Sequence, residues 1–131
     1  ALHDIGKIAV PDAVLNKPGP LTPDEVAVIR EHPAQGVKMI EPIESVRDTI
    51  PLVRWHHERV DGTGYPDGLR GDQIPFLVRV LAVADVYDAL GSDRPYRAAL
   101  PREVCLSILR KDAVGGGLDP ELVEEFAAVP A

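Results

Sequence analysis

The chain has 131 residues, 45% hydrophobic and 27% charged, with a formal net charge of −7; this excludes a disordered polymer and fits one domain with its own core. That charge opposes a polyanion-binding surface, so DNA, RNA and anionic membrane are not expected partners. The lone cysteine, Cys105, has no partner for a disulfide or a zinc site, in keeping with a reducing, cytoplasmic setting, and no apolar run approaches the roughly 18 residues of a membrane span.

Helix signals recur along the chain and strand signals do not. Ala1-Leu2-His3-Asp4-Ile5-Gly6 opens without an initiator methionine or an N-cap, as though inside a helix, and reads as part of a longer protein. Gly6 is expected to break that first helix. Thr22-Pro23-Asp24-Glu25 is a capping box with proline at the first helical position, and predicts a helix to about Glu31. Pro33 starts another, with Val37, Met39 and Ile40 on its apolar side. Residues 44 to 57 carry helical spacing that Pro51 should kink or divide. A stretch rich in glycine and proline follows, then the most apolar segment, Phe76 to Leu90. There Leu77, Val80, Leu81, Ala84 and Tyr87 or Asp88 follow the i, i+3, i+4, i+7 rule as a core face. Pro101 opens a further helix, and Asp119-Pro120-Glu121 caps a last one through about Ala128. The expected fold class is all-α, a multi-helix bundle in one domain.

The polar residues inside this pattern need an explanation. His3 and Asp4 lie beside Gly6, His32 ends the capped helix, and His56 and His57 end the next. Asp85 and Asp88 share a face in the most apolar helix. A buried aspartate there is costly unless it is paired or bound to metal. Asp85 could pair with Arg79 or Arg94. Alternatively, imidazoles and carboxylates converge on divalent cations. Nitrogen and oxygen donors without thiolate suit iron or manganese first, with nickel, cobalt or zinc compatible. Four histidines and two aspartates suffice for two ions sharing a carboxylate, an arrangement suited to phosphoryl chemistry.

Taken together, Leu2-His3-Asp4-Ile5-Gly6-Lys7-Ile8, the segment Pro11 to Thr22, the run His56 to Gly71 containing Gly64-Tyr65-Pro66, Ala84 to Leu90, and Ser92 to Tyr96 resemble the HD-GYP family of HD-domain phosphohydrolases. The resemblance implies an HD-like helical bundle with a GYP loop, and hydrolysis of the messenger cyclic di-GMP to pGpG or GMP. It implies two metal ions held by His3, Asp4, His32, His56, His57 and Asp85. Asp4 would bridge them, with His3 and Asp85 on one ion and His32, His56 and His57 on the other. Asp4 and Lys7 would be catalytic. Lys7, Gly64, Tyr65, Asp88, Arg94 and Arg97 would face the substrate, with Tyr65 either packing on a guanine or ribose or simply filling space under its loop. An upstream sensor or receiver domain and diguanylate cyclases are the implied partners.

Two departures stand out. The family also draws a metal-binding histidine, and in some members a glutamate, from helices before the HD motif. Residues 1 to 131 would then be an HD-GYP domain lacking its N-terminal helices, expected to be weakly active alone. Gly115-Gly116-Gly117 is expected to loosen the join to the last helix. Three rival readings remain: a regulatory module that relays signals through the GYP loop, which would carry no stoichiometric metal, a hydrolase for another nucleotide, and a plain helical structural domain, which leaves Asp85 and Asp88 unexplained.

Overall fold

A computed structural model describes residues 2–93 and 97–130; Arg94, assigned to the substrate by resemblance, lies outside them. Among the described residues there are seven α-helices: α1 (Asp12–Leu15), α2 (Pro23–Arg30), α3 (His32–Ile40), α4 (Ile50–Trp55), α5 (Phe76–Gly91), α6 (Arg102–Val114) and α7 (Pro120–Ala128). Segments of 3-10 helix occupy Leu2–Ala9, Glu44–Thr49 and Gly71–Gln73. No strand forms among the described residues; an isolated bridge joins Asp61 and Arg70. The all-α expectation holds.

The chain divides into two compact units, one of Ala1–His57 with Tyr65–Asp67, the other of Glu58–Gly64 with Gly68–Ala131. In the first, the capping box forms as the sequence predicts. Thr22 Oγ1 accepts from the Glu25 amide at 3.2 Å, and Glu25 Oε1 accepts from the Thr22 amide at 3.0 Å. Pro51 divides the 44–57 segment, falling in the first turn of α4 after a 3-10 stretch, because its ring excludes the preceding turn of an α-helix. Gly6 does not break its helix. The 3-10 segment runs through it to Ala9, and Gly6 is buried where that segment meets α3. A Cβ there would overlap the carbonyl oxygen of His32 and lie 2.7 Å from the Gly36 nitrogen. Gly36 meets Val53 of α4 in the same way, since its own Cβ would fall 2.7 Å from Val53 Cγ1. Two missing side chains therefore let the Leu2–Ala9 segment, α3 and α4 close on one another.

The second unit has a core of Val83, Leu109, Ala113, Leu118, Leu122 and Val123, with Tyr87 and Phe126 packed edge to face at 4.8 Å. The expected core face of α5 is corrected here. Leu77, Val80, Ala84 and Asp88 are exposed, and Val78 and Val83 are buried instead. A helix apolar on all sides offers no polar stripe, so periodicity leaves its rotation undetermined. Asp85 is half-buried, and Arg79, considered as its partner, pairs with Asp119 at 2.7 Å. Asp119 also caps α7 by accepting from the Glu121 amide at 3.0 Å. The triple glycine is not a loose join. Gly117 is buried, its carbonyl accepts from the Val60 amide, and a Cβ on it would overlap the Arg59 guanidinium and the Asp112 carboxylate, themselves paired at 2.7 Å.

Candidate metal centre

The first unit brings Asp4, His32, His56 and His57 together so that one ligand atom of each lies within 4.8 Å of the others. Each arrives from a different local cause. Asp4 sits on the 3-10 segment that Gly6 draws against α3. His32 opens α3 rather than closing α2, and is only 1% exposed. His56 and His57 follow the last residue of α4, where the helix gives way, so adjacent rings can turn to one side; their centroids are 4.1 Å apart.

His56 shows how the backbone prepares a ligand. Its Nδ1 lies 2.9 Å from the Val53 carbonyl oxygen, which can only accept, so Nδ1 carries the proton. That tautomer leaves Nε2 with a lone pair, aimed at Asp4 Oδ1 at 3.3 Å. Nothing in the sequence marks Val53 for this role, because the acceptor is main chain. His3 approaches the other oxygen, with Nε2 3.3 Å from Asp4 Oδ2, and Lys7 Nζ is 3.6 Å from Oδ1. The two carboxylate oxygens of Asp4 thus face different histidines.

Electrostatics favour ligand-ready protonation states. Burial, reinforced by the neighbouring His56, pulls the His32 imidazole down to about 4 from an ordinary 6.5. His57 falls to about 3, again by burial first and then by His56 and His32. Both are neutral near pH 7. Burial pushes the Asp4 carboxyl upward, but the cations around it, Lys7 first, outweigh this and hold it below its usual range. His32 tests the fit most directly, since neither of its buried ring nitrogens finds a hydrogen-bond partner among the described residues. Leaving such groups unsatisfied is costly. Three imidazoles and one carboxylate, without thiolate, fit a divalent ion of the intermediate kind.

Tyr65 stacks on His57, with centroids 5.0 Å apart and planes 18° apart, and the Arg30 guanidinium lies over its ring. The loop is held by Asp67, which accepts from Arg54 Nε at 2.8 Å and Trp55 Nε1 at 2.7 Å. Sequence reasoning missed Arg30, Arg54, Trp55 and Asp67, because nothing in their spacing distinguishes them from ordinary surface residues.

The remaining predicted residues belong to the second unit. Gly64 is half-buried, and the left-handed positions of the loop fall at Gly62 and Gly68, with φ of 83° and 64°, rather than at Gly64. Buried Glu58, also missed, accepts from the amides of Gly68 and Leu69 at 3.1 and 3.0 Å. Asp85 and Asp88 stand on α5. Arg97 directs both Nη groups to backbone carbonyls, those of Ala89, Leu90 and Ala98, where they cap the end of α5.

Residues 1–122 match the family model described as "HD domain". The chain belongs to the HD domain family. Among curated relatives, this HD domain is 46% identical over 126 residues to a cyclic di-GMP phosphodiesterase of Pseudomonas aeruginosa, covering 95% of this chain and 30% of the relative. It is 46% identical over 125 residues to a cyclic di-GMP phosphodiesterase response regulator of Xanthomonas campestris, covering 94% and 33%. It is 39% identical over 128 residues to a 3'3'-cGAMP-specific phosphodiesterase of Vibrio cholerae, covering 98% and 27%. The chain spans about a third or less of the length of these relatives. An HDG"Y"P protein of Bdellovibrio bacteriovorus shares the fold, with a TM-score of 0.65 over 93% of this chain and 38% of the other, at 22% identity.

Proposed function

We propose that this HD domain is a divalent-metal-dependent phosphodiesterase acting on cyclic dinucleotides, with cyclic di-GMP as substrate and pGpG or GMP as product. The observation that carries the reading is the convergence of Asp4, His32, His56 and His57, with His32 and His57 neutral near pH 7 and no hydrogen-bond partner for His32 among the described residues. The names of the relatives support the substrate class.

In this reading Asp4 would be shared between two ions, supported by the approach of His56 to Oδ1 and of His3 to Oδ2. His32, His56 and His57 would hold one ion, and His3 would serve the other, with Asp85 assigned to it by the family resemblance alone. Iron or manganese fits the donors best. A divalent ion held here supplies Lewis acidity toward water and toward a phosphoryl oxygen. Lys7, 3.6 Å from Asp4 and exposed on one side, offsets charge at the scissile phosphate. Tyr65 offers its ring to a base or ribose, and Gly64, Asp88, Arg94 and Arg97 complete the substrate contacts, Arg97 through Nε because its Nη groups are engaged. A receiver or sensor domain upstream is supported by the response-regulator relative, and diguanylate cyclases are proposed partners. No described helix is long and apolar enough to cross a membrane; a cytoplasmic setting follows from the proposed messenger.

A second reading, a preference for a mixed cyclic dinucleotide, is favoured by the 3'3'-cGAMP-specific relative. A panel of cyclic di-GMP, 3'3'-cGAMP and cyclic di-AMP, incubated with the manganese- or iron-loaded protein, separates the two. We expect stoichiometric metal, release of linear product, and loss of both in Asp4→Ala. Hydrolysis that persists in a metal-free protein would refute the proposal.

A further inference from the structure

Most arginines of the chain commit their guanidinium to an internal acceptor. Arg47 donates to a carbonyl, and Arg54, Arg59, Arg79 and Arg110 donate to carboxylates. Arg30 does not. It is the exposed last residue of α2, and among the described residues it makes no ion pair and donates no hydrogen bond. It is nevertheless placed, because its Cζ lies 5.1 Å from the centroid of the Tyr65 ring. Tyr65 in turn stacks on His57, so the guanidinium stands two ring contacts from a candidate metal ligand within the same unit.

A cation over an aromatic face is oriented without consuming its N–H donors. The planar fork that remains matches a phosphate bidentately. In a chain of net charge −7, an oriented cation that makes no ion pair among the described residues, beside a phosphate-handling centre, is a local anion site. Resting on the phosphodiesterase reading above, we infer that Arg30, held by Tyr65, binds the phosphate of a cyclic dinucleotide that is not being cleaved. Lys7 serves the scissile phosphate beside Asp4, and Arg30 serves its twin. The site then selects ligands carrying two phosphates over ligands carrying one, whichever bases they bear.

The test is calorimetric titration of the manganese-loaded chain with slowly cleaved phosphorothioate analogues of cyclic di-GMP and of cyclic GMP. The wild type is expected to prefer the two-phosphate ligand. Arg30→Ala should weaken it by about tenfold or more, as loss of a charge-assisted bidentate contact does. It should also flatten the salt dependence of binding and erase most of the preference. Arg30→Lys keeps a positive charge at the end of α2 but lacks the fork, and should recover only part of the affinity. Thermal melting checks that both variants fold. Two-phosphate affinity unchanged in Arg30→Ala, or fully restored by Arg30→Lys, overturns the inference while the phosphodiesterase reading stands. A wild-type protein that binds neither analogue overturns that reading, and this inference with it.

Discussion

Gly6 lies so close to the carbonyl of His32 that no side chain fits between them. The contact holds the segment bearing Asp4 against the helix that begins with a candidate ligand, so stability and metal affinity depend on the same missing Cβ. Gly6→Ala should destabilise the protein by about 2–3 kcal/mol, the upper part of the roughly 1–3 kcal/mol typical of an overpacked interior. The clash is with backbone, which cannot swing aside. Urea denaturation and metal analysis of the folded fraction check this. Wild-type stability with full metal content would show that the segment can shift without consequence.

Acid should weaken the metal-free fold, and the sign follows from the two depressed histidines. His32 at about 4 and His57 at about 3 bind protons in the folded state only well below the ordinary 6.5 of an unfolded chain. Between those values the unfolded chain holds more protons, so stability is complete above 6.5 and declines as pH falls toward 4 and 3. The urea midpoint of the metal-free protein should fall from about pH 7.5 to about pH 5, before most carboxylates titrate. His57→Gln should flatten that slope. A midpoint that rises on acidification would contradict the buried neutral state of these rings.

Charge at Asp4, beyond its shape, should govern metal retention. Asn keeps the volume and one oxygen but removes the anion that three histidines and Lys7 surround. Asp4→Asn is therefore expected to fold with a near-native melting curve in the absence of metal, yet to lose metal affinity by more than the roughly tenfold that loss of even an outer-shell partner costs. Equilibrium dialysis against manganese reads this directly. Retention of wild-type affinity would exclude Asp4 from the coordination sphere.

The sequence revealed residue types better than their surroundings. Capping at Thr22 and Asp119, the division at Pro51 and the histidine pair after α4 were legible because each is a local rule: a side chain, a proline ring or a helix end acting on its neighbours. The rotation of α5 was not, since an all-round apolar helix takes its inward face from its partners. Gly6 and Gly117 were misread for a related reason. A glycine in sequence suggests freedom, but here each marks a place that another part of the chain fills, the His32 carbonyl in one case and the Arg59 side chain in the other. The histidines of the centre were legible by kind. The Val53 carbonyl that sets the His56 tautomer was not, because a main-chain acceptor leaves no mark in the sequence.

The anchor of the Tyr65 loop gives a further prediction. Asp67 accepts from Arg54 through both oxygens, at 2.8 and 3.0 Å, and from Trp55 at 2.7 Å. These bonds, Arg54 first, hold its carboxyl below the usual range. The group is about one-third exposed, so solvent screens the pair, and Asp67→Ala should cost only about 1 kcal/mol of stability. The larger effect should fall on the ring two residues before it. Without the anchor, Tyr65 no longer holds its stack on His57, and affinity for a cyclic dinucleotide should drop more than global stability does. Trp55 is the single tryptophan, so its fluorescence reports release of the indole N–H on the same sample. Ligand affinity maintained despite a shifted Trp55 spectrum would mean that the His57 stack alone suffices to place Tyr65.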